Sequence, residues 1–549
     1  MLRMRADFGC DERIAERNVM QVGFYLNPGN AAFQEILNGT YVDKTGLIDF
    51  INSTIGTPEK LTSFSRPRRF GKSFAAMMLC AYYDKGCDSR KLFEGLEISR
   101  SASFEKYMNK FDVIYLDITY FISRPGDVKT IVSDIQTSVI RELRKAYPGC
   151  IDGEENYLPH ALACVTQETG NRFFIIIDEW DALFREVKDN DTIQKEYIWF
   201  LRGLFKSGVA TKAMVAGAYM TGILPIKKYG TESALTDFRE YTMIQPENLT
   251  EYVGFTEKEV QNLCQKYLMD FDSMQKWYDG YIFDRTQHIY SPNSVMRAVK
   301  NNRFGNYWTK SESYESLKNY ISMNRDGLKD AVIEMLGGQR EKTDVLSFQN
   351  DLTNLKNREN VLTLLVHLGY LAYDTQTKEV FIPNLEVSES FRLAVQDTNW
   401  TQVGTALSKS EELLNATIRC DSRAVEDALE MIHSENTSIL KYNDENSLSC
   451  AITIAYYTAK NDYEIFRELP SGKGFADMVF VPRRNTDKPA MIVELKYDKT
   501  ADTAIGQIKD NRYTGKLSDY KGNLLLVGIN YNKNGRNKKH ECIIERYFT

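Results

Sequence analysis

Histidine is scarce, five in 549 residues, and the nine cysteines stand singly with no C-x-x-C pair. Those absences exclude a zinc ribbon and a disulfide framework, and point to a reducing, cytoplasmic setting. No apolar run approaches the roughly 18 residues needed to span a bilayer. The opening MLRMRADFGCDERIAER also lacks the apolar centre of a secretory signal, so the expectation is a chain neither secreted nor membrane-inserted. A polycationic balance is missing too: the net charge of −6 argues against a wholesale coat for nucleic acid. There is no low-complexity tract long enough for a disordered arm, and 43% hydrophobic and 12% aromatic residues are globular values. A chain of 549 residues exceeds one core, and at roughly 150 residues per unit it suggests about three or four folding units.

What is present centres on FSRPRRFGKSFAAMMLC, Phe64 to Cys80. The β-prone LTSFS precedes it and the helical FAAMMLCAYY follows, so Gly71-Lys72-Ser73 falls where a strand hands over to a helix. Free N–H groups at a helix start hold phosphate, Lys72 can reach the β/γ oxygens, and the Ser73 hydroxyl suits Mg²⁺. The general pattern G-x-x-x-x-G-K-[ST] asks for glycine at position 66, where this chain has Arg66.

Strands and helices then alternate. DVIYLDITYF (Asp112 to Phe121) reads as a buried strand, and TIVSDIQTSVIRELRKAY has the apolar spacing of an amphipathic helix. RFFIIIDEWDALF, Arg172 to Phe184, is an apolar run ending in acids, as a central parallel strand looks when it delivers carboxylates to its C-terminal edge. Asp178 would hold the Mg²⁺ shell and Glu179 would polarise the attacking water; two solvated acids capping a strand is the plainer alternative. AMVAGAYMTGILPIKKYG reads as the neighbouring strand, with Thr221 at its end where a hydroxyl senses a γ-phosphate or simply packs.

The runs YVDKTGLI, SRPRRFGKS, FFIIIDEWD, TGILPIKKYGTESALTDF, GFTEKEV and WYDGYIF together resemble the AAA-ATPase-like family of bacterial proteins, from about Met20 to Trp308. That family's loop typically shows RPRRFGKS, so Arg66 departs from the general pattern but not from the family's. The resemblance implies a P-loop fold binding ATP and Mg²⁺. Arg69, Phe70, Gly71, Lys72, Ser73 and Phe74 would surround the phosphates, with Asp178, Glu179 and Thr221 facing them. Whether Arg66, Arg68 or Arg69 touches phosphate or only packs stays open.

Residues 250 to 395 read as mainly helical. Thr256 with Glu259 forms a capping box. ENVLTLLVHLGYLAYDTQTKEVFIPN, Glu359 to Asn384, reads as a helix running into a two-strand hairpin, as in a winged helix; a lid or packing role is favoured over a DNA-binding one. His367 is expected to be a core histidine.

A second set of acids follows. GFADMVFVP places Asp477 on one strand, and 17 residues later MIVELKY places Glu494 and Lys496 on one face of another. Two carboxylates suit a hard divalent ion, and a lysine orients water or offsets charge, as metal-assisted phosphodiester hydrolysis requires. Upstream, DENSLSCAITIAYYTA reads as a helix with Glu445, Leu448, Ile452, Tyr456 and Ala459 on one stripe; downstream, QIKDNRYTGKL reads as a helix beginning at Gln507 and carrying Tyr513.

This set resembles the PD-(D/E)XK nuclease superfamily, which implies Asp477, Glu494 and Lys496 as core, Glu445 as the helical acid and Gln507 as the trailing glutamine. Ala476 stands where proline is usual. Residues 460 to 549 carry 17 Lys+Arg against 12 Asp+Glu, and Arg483-Arg484 and the tail NKNGRNKK suit phosphate contacts.

The expected architecture is therefore α/β. It comprises a P-loop NTPase domain of parallel sheet flanked by helices (20–248), a helical, winged-helix-like region (249–398) and an α/β restriction-endonuclease-like domain (399–549). The expected function is an ATPase coupled to a Mg²⁺-dependent DNA nuclease, with DNA as partner and homo-oligomerisation left open. The alternative is a nucleotide-controlled switch, binding DNA or protein, whose nuclease-like domain does not cut.

Overall fold

The computed structural model describes residues 23–547, except 125–126, 189, 207, 227, 230–231, 234, 284–286, 309–313, 324, 350–354, 397–400, 435–444, 472–473, 484–486, 511–522 and 533–538. The chain divides into two compact units. The first comprises Met1–Phe304 and Thr343–Lys378, and the second Gly305–Lys342 and Glu379–Thr549.

The first unit is built on β1 (Leu61–Ser65), α1 (Lys72–Tyr83), β2 (Asp112–Asp117), α2 (Ile131–Ala146), β3 (Phe173–Asp178), α3 (Ala182–Glu186), α4 (Asp191–Phe205), β4 (Val215–Gly222) and β5 (Arg239–Tyr241). The strands form a five-stranded sheet in the order β2-β3-β4-β1-β5. Every neighbouring pair in it is parallel. Each residue of β1, β3 and β4 is buried. Helices cover both faces of such a sheet, which is why β3 reads as a near-continuous apolar run, FFIIID. A cluster including Ile135, Val139, Leu162, Ile175, Leu201 and Met220 fills one side.

The second strand is shorter than DVIYLDITYF suggested. Asp117 stops it by accepting hydrogen bonds from the N–H groups of Thr119 (2.9 Å) and Tyr120 (3.3 Å), and a short helix follows over Ile118–Ile122. The open edge of β2 is covered by the segment around Leu26, bridged antiparallel to Ile114. That segment is held by the Glu142 carboxylate of α2, which accepts the N–H groups of Phe24 (3.1 Å), Tyr25 (2.9 Å) and Leu26 (2.9 Å). Covering an edge in this way removes a template for strand addition.

Beyond the sheet lie α5 (Glu257–Tyr267), β6 (Tyr281–Phe283) and α6 (Pro292–Asn301). The capping box at Thr256 and Glu259 is present. The same Glu259 carboxylate takes Lys44 Nζ at 2.6 and 2.7 Å, so the YVDKT and GFTEKEV runs are tied to each other. The stretch is less helical than expected, since Phe255–Thr256, Gln287–Tyr290 and β6 make a three-stranded antiparallel ribbon. Then come α7 (Arg358–Leu368) and the short β7 (Ala372–Asp374). His367 is buried and stacks on Phe348 at 5.9 Å, as a core histidine does.

In the second unit, the short β8 (Glu379–Phe381) is followed by several helices including α8 (Glu445–Ala455). The sheet comprises β9 (Tyr463–Ser471), β10 (Gly474–Pro482), β11 (Ala490–Tyr497), β12 (Leu524–Asn532) and β13 (Lys539–Tyr547), with α9 (Ala501–Asp510) between β11 and β12. Its order follows the chain. All pairs are antiparallel except β11 with β12, which are parallel. Leu448, Ile452, Tyr456 and Ala459 are all buried as the stripe predicts, but the α-helix ends at Ala455 and a 3₁₀ turn over Tyr457–Asn461 carries the last of them. Downstream, α9 begins at Ala501, six residues before Gln507, where Thr500 opens the helix by accepting the Thr503 N–H at 3.2 Å. Tyr513 lies outside the described residues.

One glycine at the end of β4 is required by close approach. A Cβ on Gly222 would stand 2.6 Å from the indole of Trp180 and 2.7 Å from Asp181 Oδ1. Trp180 is buried and cannot withdraw. Gly222→Ala should lower the unfolding free energy of the first unit by about 1–3 kcal/mol, as overpacking does. Urea unfolding measures this, and a midpoint equal to the parent's would contradict it.

Candidate functional site

The loop from Arg66 to Gly71 connects the buried end of β1 to α1. Gly71 is the residue before the helix and has φ +93°, and a Cβ there would meet nothing within 4 Å. Glycine is therefore needed for backbone conformation and not for space. No side chain caps α1. The first intrahelical bond runs from Ala75 N–H to Gly71 O at 3.0 Å, which leaves the amides of Lys72, Ser73 and Phe74 for a ligand.

The loop's side chains separate into different roles. Arg66 is fully buried and donates through Nη1 to the carbonyls of Ser65 (3.1 Å) and Tyr241 (3.2 Å), with Phe283 of β6 5.2 Å from its guanidinium. Burial lowers it to about 10, which leaves it charged at neutral pH. The glycine missing from the general pattern is thus replaced by an arginine that packs inside the protein. Arg69 is exposed, at φ +64°, and donates to Asn293 Oδ1 of α6 at 3.4 Å. Phe70 is buried edge-on to Tyr281, 5.5 Å between centroids, whereas Phe74 is exposed.

Lys72 curls back over the loop. Its side chain is 3% exposed, and the ammonium donates to the carbonyls of Arg66 and Pro67 at 3.0 Å each and lies 3.6 Å from Glu179 Oε1. Because β4 lies between β1 and β3, Thr221 stands between the loop and the acids. Its hydroxyl donates to Asp178 Oδ1 and accepts the Glu179 N–H at 3.2 Å. Ser73 also hydrogen-bonds Asp178, and Tyr115 donates to its Oδ2 at 3.4 Å. Burial pushes the Asp178 carboxyl up, opposed by the Ser73 and Thr221 hydrogen bonds. Burial acts the same way on Glu179, but Lys72, Arg185 and Arg68 together outweigh it and hold that carboxyl below its ordinary value.

Two residues here escaped the sequence reading. Arg185 of α3 donates to Glu179 Oε2 and to Asp181 Oδ2 (3.0 Å), and Asp181 accepts the N–H groups of Ile223 (3.1 Å) and Leu224 (2.9 Å). The one available signal was their i,i+4 spacing directly after the acidic strand end.

In the second unit the β10–β11 ladder pairs Phe480 with Met491, Val479 with Ile492 and Met478 with Val493, and stops there. Beyond that point the carboxylates take over the strand amides. Asp477 Oδ2 accepts the Leu495 N–H at 2.7 Å, and Glu494 accepts the backbone N–H of Asp477. Glu494 and Lys496 share a face, as period two requires: Lys496 Nζ donates to Glu494 Oε1 at 2.8 Å and to the Leu495 carbonyl at 2.9 Å. Both side chains are buried. Burial and the Asp477 charge push the Glu494 carboxyl up to about 7, with Lys496 holding it back in part. Gln507 is half-buried on α9, and Glu445 is the first residue of α8, its side chain outside the described residues.

Among the described residues no group of three or more His, Cys, Asp and Glu side chains could hold a metal ion. Each site nevertheless fits a hard cation that keeps several waters. The first offers only oxygens, from Ser73, Asp178 and Thr221. In the second, Asp477 stands beside Glu494, whose Oε2 is buried without a hydrogen-bond partner among the described residues.

Residues 29–231 match the family model described as Predicted AAA-ATPase, and residues 444–541 match that of the PD-(D/E)XK nuclease superfamily. Similar solved structures include the Walker-type ATPase PABY2304 of Pyrococcus abyssi, at 12% identity over 64% of this chain and 94% of that one, with a TM-score of 0.33. Another is the ORC2 protein of Aeropyrum pernix, at 12% identity over 66% and 98%, with a TM-score of 0.31. At these scores the likeness carries nothing about activity. No curated protein matches the sequence. Among the described residues no helix is long and apolar enough to cross a membrane.

A carboxyl raised in the folded chain binds its proton more tightly there than when unfolded, so its contribution to stability is present at low pH and lost as pH rises through the folded value. For Glu494 that window runs from its ordinary 4.5 to about 7. In EDTA, Glu494→Gln should therefore gain urea resistance relative to the parent as pH is raised through this window. A difference that stays constant across it would contradict the assignment.

Proposed function

We propose that a chain carrying an AAA-ATPase-like domain and a PD-(D/E)XK nuclease-superfamily domain hydrolyses ATP at the first site and DNA phosphodiesters at the second, each with Mg²⁺, and that nucleotide turnover controls the cutting. The observation that carries the reading is one arrangement made twice. In each unit a buried lysine lies against a glutamate, 3.6 Å for Lys72 with Glu179 and 2.8 Å for Lys496 with Glu494, with a second carboxylate alongside.

At the first site, phosphate replaces the two carbonyls that Lys72 now holds, exchanging neutral acceptors for charged ones. The open amides of α1 take further phosphate oxygens. Glu179, kept ionised by its cationic neighbours, accepts the proton of the attacking water. Ser73 and Asp178 would hold the cation there, and Asp477 and Glu494 would hold it at the second site, where it would supply positive charge to offset that building on the phosphoryl oxygens. Lys496 keeps the Glu494 carboxylate oriented and adds positive charge beside the phosphodiester. Glu445 and Gln507 complete that site in the superfamily pattern, and the basic excess over residues 460 to 549 suits a nucleic-acid backbone.

Lys72→Ala should reduce ATP turnover by at least about 100-fold, on the scale of losing a preorganised charge donor, and weaken ATP affinity. Turnover and affinity equal to the parent's would remove the loop assignment. Asp477→Ala and Glu494→Ala should abolish Mg²⁺-dependent DNA cleavage while ATP turnover persists, read on a plasmid and an oligonucleotide duplex with and without ATP. Intact protein that retards DNA in a gel but never cuts it with Mg²⁺ or Mn²⁺ would make the second domain a binding module.

A further inference from the structure

Each carboxylate oxygen of Glu179 has a cation on it, Lys72 at Oε1 and Arg185 at Oε2, with Arg68 adding charge nearby, and the proposed reaction takes Lys72 away. Lys72 lies 3.6 Å from Glu179 Oε1 only while its ammonium is turned inward onto the Arg66 and Pro67 carbonyls. A bound triphosphate competes for the same ammonium. Glu179 also stands at φ +53°, in the left-handed region, where a non-glycine residue persists only if its surroundings hold it. Its backbone is held by Thr221, whose hydroxyl accepts the Glu179 N–H at 3.2 Å and whose carbonyl accepts the Trp180 N–H at 2.8 Å. Its side chain needs a separate anchor.

We infer that Arg185 is that anchor, a positioning residue that keeps the Glu179 carboxylate aimed once Lys72 has turned to phosphate. This rests on the ATPase reading of the first site. Arg185 is on the other carboxylate oxygen, Oε2, with its side chain 8% exposed. Its Nε is fixed on Asp181 Oδ2 at 3.0 Å, one helical turn away. Asp181 cannot follow a moving arginine, because it is fully buried and holds the Ile223 and Leu224 amides at 3.1 and 2.9 Å. The same segment is tied to the phosphate loop, since the Gly222 carbonyl accepts the Arg66 N–H at 3.1 Å and the Leu224 carbonyl accepts the Ser65 hydroxyl at 3.0 Å. The route from Lys72 through Glu179, Arg185, Asp181 and residues 222 to 224 thus returns to the loop that Lys72 covers. When the Lys72 contact opens, the Arg185 contact is the charged one that remains within this ring. A planar guanidinium held at one prong presents the other in a set direction, which a lysine does not do.

The test is steady-state ATP turnover with Mg²⁺, beside ATP affinity measured by calorimetry, for Arg185→Met, Arg185→Lys and Glu179→Gln. Arg185→Met should lower kcat by about 10- to 100-fold, the usual cost of losing a residue that orients a reacting group, with KM and Kd for ATP within about threefold of the parent. Arg185→Lys should recover part of kcat. Introduced into Glu179→Gln, Arg185→Met should cost no more than about twofold further, since a residue acting through Glu179 has nothing left to position. A kcat within about twofold of the parent, a loss confined to ATP affinity, or an equal loss with and without Glu179 would each overturn the inference. Should Arg185→Met not fold, Arg185→Lys carries the same comparison in both backgrounds. A parent protein that turns over no ATP removes the underlying reading, whereas an active parent matched by its Arg185 variants removes this inference alone.

Discussion

The ion pair between Lys72 and Glu179 sets the conditions for the C-terminal edge of the parallel sheet. With side chains only 3% and 18% exposed, the ammonium and the carboxylate lose much of their hydration, at a cost of several kcal/mol per ion unless partners replace the water. The fold supplies those partners from separate elements: loop carbonyls for Lys72, the Arg185 guanidinium for Glu179, and hydroxyls from Ser73, Tyr115 and Thr221 for the neighbouring Asp178. The strand order is what allows it. With β4 inserted between β1 and β3, the acids and the loop lie one strand apart, and Thr221 fills the space between them.

The second unit withdraws a lysine and a glutamate in the same way, with a different electrostatic result. Glu179 has cations on both oxygens and lies below its ordinary value despite burial, whereas burial and the nearby Asp477 charge raise Glu494 to about 7 against Lys496 and the Asp477 N–H. The difference follows from neighbours and not from residue type. A carboxylate kept ionised suits a proton acceptor, and a pair of carboxylates repelling each other suits a cation between them. Those are the roles the two sites take in the proposed function.

Much of both sites was legible because the signals are local. The handover from LTSFS to FAAMMLCAYY, the acids at the end of FFIIID, the capping box at Thr256 and the shared face of Glu494 and Lys496 all follow from periodicity or spacing within a few residues. Chain-distant contacts were not legible. Nothing local shows that Arg66 is buried under Phe283, since its partners at Tyr241 and Phe283 come from distant segments. Asp117 was read through as strand because its N-cap role depends on the turn after it.

The sequence by itself determined on which elements Lys72, Ser73, Asp178, Glu179, Asp477, Glu494 and Lys496 stand, because strand and helix periods are properties of short segments. The apolar run FFIIID also marked β3 as a central parallel strand with acids at its C-terminal edge. Only the tertiary structure decided which of those side chains meet. Strand order brought Thr221 to Asp178, the early end of the β10–β11 ladder turned Asp477 onto the Leu495 N–H and Glu494 onto the Asp477 N–H, and the return of the chain at residues 222 to 224 closed the ring through Asp181 and Arg185. Charge removed from water must be matched in three dimensions, and that matching draws on residues far apart in the chain.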